Sequence, residues 1–472
     1  MSRRAAFAWI AAACGIGFAL RGLGLGTDFW LDEVWTWRIA AGVRSVPDVF
    51  TAIHHSNNHH LNTLFFYWIG DTPHAWIYRL PALTLGTASI GLGAAVAWRR
   101  GRLEAVLAAW LLAGSFALVH FSSEARGSGP AVAFALAGLW WLERDLERPR
   151  ASSAVAFGLC VVAGFLYQLV FCFFWAGALV QSGVVLWPQH RAAGPWLRAM
   201  ARLHGAPLLA FAALWLVDLR QLRVGGGPAP VFDWLAARTV GFSLGLPAEP
   251  AFGIAWTVLA LGVVVAGLRL LAKRADPAWT GFAVTIVIAP LLVLGAIRPD
   301  VLAVRYFLIG IAFSLLLTAL LLAAALRAGG ARRVAAALLL AGFAVGNGIH
   351  IARFAELGRG GYRAALATLA AQTDGPVLEV GSDHDFRVGT VLGFHSRSLP
   401  PEKRLVYLPR RQWPQAGPEW MIFHRQERAE APPTFLVNES TRYTLAAEFD
   451  HAAISGYYWM LYRNTDRSAE TP

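Results

Sequence analysis

The sequence predicts an α-helical polytopic membrane protein of about eleven transmembrane helices, ending in a small α/β domain on the outer face. Three observations predict it. Of 472 residues, 56% are hydrophobic and only 15% are charged, and the mean hydropathy is +0.48, well outside the range of a soluble chain of this length. Apolar stretches long enough to cross a ~30 Å hydrocarbon core as helices recur from near the N-terminus to about residue 350. Beyond that point the chain turns polar.

The expected spans are about 5–26, 80–98, 103–121, 128–142, 152–167, 169–187, 205–220, 251–268, 280–297, 305–326 and 334–350. The short 128–142 span would tilt or thin the bilayer. Orientation follows from the arginines. One alternate set of loops carries Arg3 and Arg4, then Arg99, Arg100 and Arg102, then Arg144, Arg148 and Arg150, then Arg191, Arg198 and Arg202, then Arg269, Lys273 and Arg274, then Arg327, Arg332 and Arg333. The positive-inside bias makes these loops cytoplasmic. The other set, 27–79, 122–127, 220–250, 298–304 and the tail from about 351, is poorer in arginine and therefore extracytoplasmic. The expected localisation is the cytoplasmic (inner) membrane, with a cytoplasmic N-terminus and a periplasmic or extracytoplasmic tail. The first segment lacks a small-residue cleavage site and reads as a retained helix.

The formal net charge of +12 is then a topology signal, helped by anionic lipid headgroups, and no nucleic-acid partner is expected. Cys14, Cys160 and Cys172 all fall in expected helices, so the outer loops and tail have no disulfides, and no metal-type Cys spacing exists. No internal repeat is visible, and the polar clusters gather at one face. This argues against a secondary transporter, which should show paired halves and ionisable residues near the midplane.

Those clusters carry the functional expectation. FWLDEVWTW, residues 29–37, sets Asp32 and Glu33 among Trp30, Trp35 and Trp37 just beyond the first span. The tryptophans suit the headgroup layer, and the segment reads as a surface-lying amphipathic helix. Taken alone, the acids have a plain explanation: Asp32 caps the helix and Glu33 sits in its first turn. The same loop continues with HHSNNHHLN, residues 54–62, four histidines and three asparagines in nine positions. It reads as a hydrated polar loop, as a metal site, since His54, His55, His59 and His60 include i,i+4 and i,i+5 pairs, or as a hydrogen-bonding surface for a polyhydroxylated substrate. The third reading is preferred. A divalent cation suits the chemistry but is not required, and cofactor and metal are otherwise left unassigned. HFSSEARGSGP, residues 120–130, adds Glu124 and Arg126, and RPDVLAVRYFL, residues 298–308, adds Arg298, Arg305 and Tyr306. Arginine at this depth either anchors at the interface or holds a lipid-linked phosphate, which a guanidinium fork matches better than lysine.

In order, WLDEVWTW, SNNHHLN, WIYRLPAL, FSSEARG and RPDVLAVRYFL resemble the GT-C-fold glycosyltransferases, nearest the bacterial branch akin to protein O-mannosyltransferases and lipid A aminoarabinose transferases. The resemblance covers nearly the whole chain, because GYRAALATLAAQTDGPVLEVGSDHD is similar to the start of the outer-face domain of many bacterial members. It implies hexosyl or pentosyl transfer from a polyprenyl-phosphate-linked sugar donor to a lipid, glycan or protein acceptor on the outer face of the membrane. Asp32 matches the family's general base, with Glu33 in support. The substrate-binding candidates are Asn57, Asn58, His59, His60, Asn62 and Arg79; the lipid-phosphate candidates are Glu124, Arg126, Arg305 and Tyr306. Many relatives have a His-Pro segment where this chain has SNNHHLN, so His59 and His60 both stand for the equivalent place. Displacement assisted by a single base would invert the anomeric centre. The alternatives are a secondary transporter, a non-catalytic scaffold with a sensor-like outer domain, and a glycan ligase or polymerase using a pyrophosphate-linked donor.

The expected domains are 1–350, a transmembrane catalytic part including the outer loop 27–79, and 351–472. The tail offers a helix at 362–372 and strand-like runs PVLEVGS, RLVYLP, EWMIFHR, YTLAAEF and SGYYWMLYR. At roughly 115 residues it is large enough to bury its own core. It is expected to restrict or recruit the acceptor. Asp383, His384 and Asp385 read as ordinary loop residues after a strand.

Overall fold

The computed structural model describes residues 1–224, 231–298, 301–437, 441–452 and 454–468; Pro299 and Asp300 of the RPDVLAVRYFL motif lie outside them. The chain forms two compact units. The first comprises Met1–Leu25 with Ile39–Ile351, and the second Gly26–Arg38 with Ala352–Pro472. The segment Gly26–Arg38, expected within the 1–350 part, clusters with the tail.

Among the described residues eight helices are long and apolar enough to cross a membrane, against the eleven expected. The difference falls on three consecutive expected spans. The first, 103–121, is broken at Ser115 into Arg102–Gly114 and Phe116–Phe121. At that break the freed Phe116 N–H finds a partner on another helix, Asn347 Oδ1, and the Ser115 hydroxyl donates to the Ser243 carbonyl. The second is the helix Ser128–Glu147, whose last turns carry Glu143, Arg144, Asp145 and Glu147. The third, Ala151–Tyr167, is apolar but has only 17 residues.

The loops expected on the cytoplasmic side are tied to one another. Arg100 bonds Glu143 at 2.6 Å and Asp276 at 2.9 Å. Arg327 reaches Glu104 at 2.6 Å, Arg202 holds Asp145 at 3.0 Å, and Arg102 donates to the Met1 carbonyl at 3.2 Å. These contacts join all six basic loops, and the buried acids Glu104, Glu143 and Asp145 have arginine partners, as buried charge requires.

In the second unit a six-stranded sheet has the order β2-β1-β3-β6-β5-β4, with β1 Val377–Ser382, β2 Arg404–Tyr407, β3 Trp420–Arg425, β4 Thr434–Val437, β5 Thr441–Phe449 and β6 Tyr458–Asn464. Strands β2, β1 and β3 run parallel and the remaining pairs antiparallel. Five strands and the helix Tyr362–Gln372 lie where their patterns predict. Strand β4 and the helix Asp385–His395 are additions. Leu366, Leu369, Leu378, Val380, Trp420 and Trp459 build the core together with Trp30 and Leu31 of the first loop. This corrects the placement of Trp30: it is 6% exposed in a protein core, not in the headgroup layer.

Candidate functional site

The acidic pair belongs to the second unit. Residues 31–41 form a helix with both acids in its first turn, where the dipole favours negative charge. The capping task falls to Glu33 rather than to Asp32. Its Oε2 accepts from the Trp30 N–H at 3.4 Å while Trp30's carbonyl takes the Glu33 and Val34 N–H groups, each at 3.0 Å. This is the carboxylate half of a capping box. Asp32 stays at 8% exposure, and its carbonyl accepts from the Thr36 hydroxyl at 3.0 Å.

The helix is clamped from both ends. Phe29 stacks on Phe394 at 5.3 Å and its carbonyl takes a hydrogen bond from His395 Nε2 at 2.8 Å. Trp35 meets Phe386 edge-on at 5.0 Å, and Arg38 donates to the Thr390 hydroxyl at 3.1 Å. Asp28 accepts from the Arg363 N–H at 2.8 Å. Asp32 is therefore held on a rigid element. Glu33→Gln keeps an acceptor for the Trp30 N–H but loses the charge, so it should cost about 1 kcal/mol of stability and reduce activity only severalfold, read by thermal unfolding and turnover.

The other candidates lie in the first unit, where the loops expected on the outer face meet. The backbone turn at 54–62 is pinned by a bridge to Arg223, with the Ser56 N–H on the Arg223 carbonyl at 2.9 Å. Asn58 Nδ2 donates to the carbonyls of Val49 and Ile53 at 2.7 and 3.1 Å. Helix His60–Ile69 starts at the end of this turn. Asn62 Nδ2 then bonds the Ala125 carbonyl at 2.8 Å, which brings the loop carrying Glu124 and Arg126 against the start of the helix. Arg126, 3% exposed, donates to Asn57 Oδ1 and, through Nη2, to His59 Nε2 at 2.8 Å.

His59 also donates to the Tyr167 carbonyl. With Nε2 accepting from Arg126, Nδ1 must carry that proton, and the ring is neutral. Its pKa is held well below the ordinary imidazole value, first by burial, then by the charges of Arg126, Arg305 and His60, with the Tyr167 bond acting in the opposite direction. Arg305 thus lies within electrostatic reach of the same ring. Because the unfolded imidazole takes a proton near pH 6.5 that the folded one refuses, stability should fall as pH drops below that value. His59→Gln should flatten the Tm-against-pH curve between pH 7 and 5; an unchanged slope would contradict the neutral assignment.

The two histidines left open by the sequence separate here. His59 lies on Arg126, whereas His60, 2% exposed, bonds Asp218 Oδ2 at 2.9 Å and stacks on Phe50. His54 takes the other oxygen of Asp218 at 2.8 Å. Asp218, at the end of the helix Ala193–Val217, was missed; its only signal is a lone acid closing an apolar run. Among the described residues no group of three or more His, Cys, Asp or Glu is placed to hold a metal ion. Arg79, fully buried, donates to the Gly24 and Leu25 carbonyls at 2.7 and 3.0 Å, closing the end of the first helix. Glu124 is fully buried and its carbonyl receives the Arg126 N–H at 2.7 Å. The Arg305 guanidinium lies 5.4 Å from the Tyr306 ring centroid, within cation–π range.

No protein-family model matches the sequence, and no curated protein does. Solved structures do match. The structure resembles ArnT from Cupriavidus metallidurans in its apo state, with TM-score 0.54, 12% identity and coverage of 97% of this chain and 98% of that one. It also resembles the same enzyme bound to undecaprenyl phosphate, with TM-score 0.51, 13% identity and 98% coverage of both chains. The apo Archaeoglobus fulgidus oligosaccharyltransferase matches at TM-score 0.51 and 11% identity over 83% of this chain and 64% of that one. These are GT-C-fold glycosyltransferases. At such identities the likeness establishes the fold: the chain is a GT-C-fold membrane protein with a small C-terminal sheet domain.

Proposed function

We propose that the protein is a glycosyltransferase of the cytoplasmic membrane that moves a hexosyl or pentosyl group from a polyprenyl-phosphate carrier to a lipid, glycan or protein acceptor on the outer face. The observation that carries this reading is the Arg126 guanidinium, buried and fixed by Asn57 and His59, with Arg305 near the same imidazole. A sugar phosphodiester releases a phosphate monoester, which needs charge stabilisation rather than a general acid, and pre-oriented guanidinium donors supply it at no reorganisation cost. The fold, shared with an enzyme whose structure contains undecaprenyl phosphate, supports the carrier class.

The remaining demand is for a base. The acceptor oxygen attacks the anomeric carbon, the C–O bond to the phosphate breaks with its electron pair leaving on the carrier, and the hydroxyl proton passes to a carboxylate. Asp32 takes that role and Glu33 fixes the helix that carries it. One direct displacement inverts the anomeric centre. His59, kept neutral, holds Arg126 without competing for its charge. The C-terminal sheet domain restricts or recruits the acceptor. Arg305→Lys keeps the charge and loses the planar fork, so affinity for undecaprenyl phosphate should fall roughly tenfold, measured by binding to purified protein. Unchanged affinity would return Arg305 to interfacial anchoring.

A further inference from the structure

Beside the Arg126–His59 pair lies a set of buried polar atoms that the network above does not use. Among the described residues Gln168 Oε1, Ser128 Oγ, Thr63 Oγ1, Asn58 Oδ1 and Asn62 Oδ1 have no hydrogen-bond partner, and all five side chains belong to buried residues, Gln168 at 4% and Ser128 at 3% exposure. Four of them, those of Gln168, Ser128, Thr63 and Asn62, belong to segments that meet at one junction, whereas the Asn58 amide is bonded to the Val49 and Ile53 carbonyls. The Tyr167 carbonyl, which takes the His59 proton, abuts Gly127 so closely that a Cβ there would lie 1.8 Å from it. Gln168 and Ser128 are the next residues on either side of that contact. Asn62, anchored on Ala125, and Thr63 enter from the start of the helix His60–Ile69.

A native fold rarely leaves one buried polar atom unmatched, and here four belong to segments meeting at one junction. Two are amide oxygens, which only accept, and two are hydroxyls, which donate or accept. Phosphate oxygens are acceptors too and gain nothing from the amide oxygens; the guanidinium groups of Arg126 and Arg305 suit phosphate instead. A ligand satisfying both halves carries an anionic phosphate beside groups that donate hydrogen bonds.

Resting on the transferase reading, we infer that Gln168 is a specificity-determining residue which, with Ser128 and Thr63, reads a hydroxyl or ammonium group on the sugar of the polyprenyl-phosphate-linked donor. It contributes to sugar affinity and not to holding the carrier. A site built to pair with a substrate donor rejects an analogue lacking it, because its own polar atoms are then left unmatched.

The test compares affinity for undecaprenyl phosphate with affinity for undecaprenyl phosphate carrying glucose, mannose or arabinose, in wild type, Gln168→Met and Gln168→Glu. Methionine keeps the volume without the acceptor, and glutamate keeps acceptor oxygens. Wild type should prefer at least one sugar-bearing carrier. Gln168→Met should weaken that carrier about tenfold while the bare carrier binds as before, and Gln168→Glu should retain the preference. If Gln168→Met does not insert, Ser128→Ala carries the same comparison with the same expected direction. A wild type that binds no carrier overturns the transferase reading and this inference with it. A wild type that binds the carrier but shows no sugar preference, or a Met variant that keeps the preference or loses both ligands equally, overturns the inference alone.

Discussion

Asp32→Asn should abolish most turnover while leaving donor binding and folding nearly intact. Asparagine fills the same space on the helix Leu31–Ala41 and retains hydrogen-bonding capacity, but it cannot take a proton from an acceptor hydroxyl. Removing a general base typically costs 10²–10⁴-fold, roughly 3–5 kcal/mol in the barrier. The loss should appear in kcat with the donor's affinity unchanged. Adjacent helical residues point about 100° apart, and Glu33 is committed to the Trp30 N–H, so it cannot stand in for Asp32. An Asp32→Asn protein that transfers sugar at the wild-type rate would remove the base assignment.

The second large effect is expected at Arg126. Arg126→Lys keeps a cation in the buried position but loses the planar fork that reaches Asn57 and His59 together and matches a phosphate bidentately. Affinity for undecaprenyl phosphate should fall ten- to a hundredfold, by about 1.4–2.7 kcal/mol. Arg126→Met should also destabilise the fold by roughly 2–5 kcal/mol, because Asn57 Oδ1 and His59 Nε2 each lose a buried partner. A purely structural arginine would lower the Tm in both variants and leave carrier affinity in the folded protein unchanged.

The membrane class, the grouping of the basic loops and most tail strands were legible because hydropathy, arginine placement and alternation are local signals. The grouping of HHSNNHHLN with EARG and VRYF rested on their order and shared face. What the sequence hid depends on long-range contact. Nothing local ties Asp28 to Arg363, 335 residues away, so the first-loop helix read as interfacial and its Trp30 as a headgroup anchor. The break at Ser115 interrupts no apolar run, since the Phe116 N–H is met by Asn347 of another helix. His54, His60 and Asp218 form their cluster only once the end of a distant helix meets the first outer loop. Four-residue β4 is too short to show an alternation.

The most direct measurement compares, by mass spectrometry, the envelope glycolipids, polysaccharides and glycoproteins of cells lacking the gene after complementation with wild type or with Asp32→Asn. The account predicts at least one envelope component one sugar residue heavier with wild type than with the variant, with both proteins present in the membrane at equal amounts. An envelope indistinguishable between the two, or a sugar addition that the Asp32→Asn protein supports equally well, would contradict it.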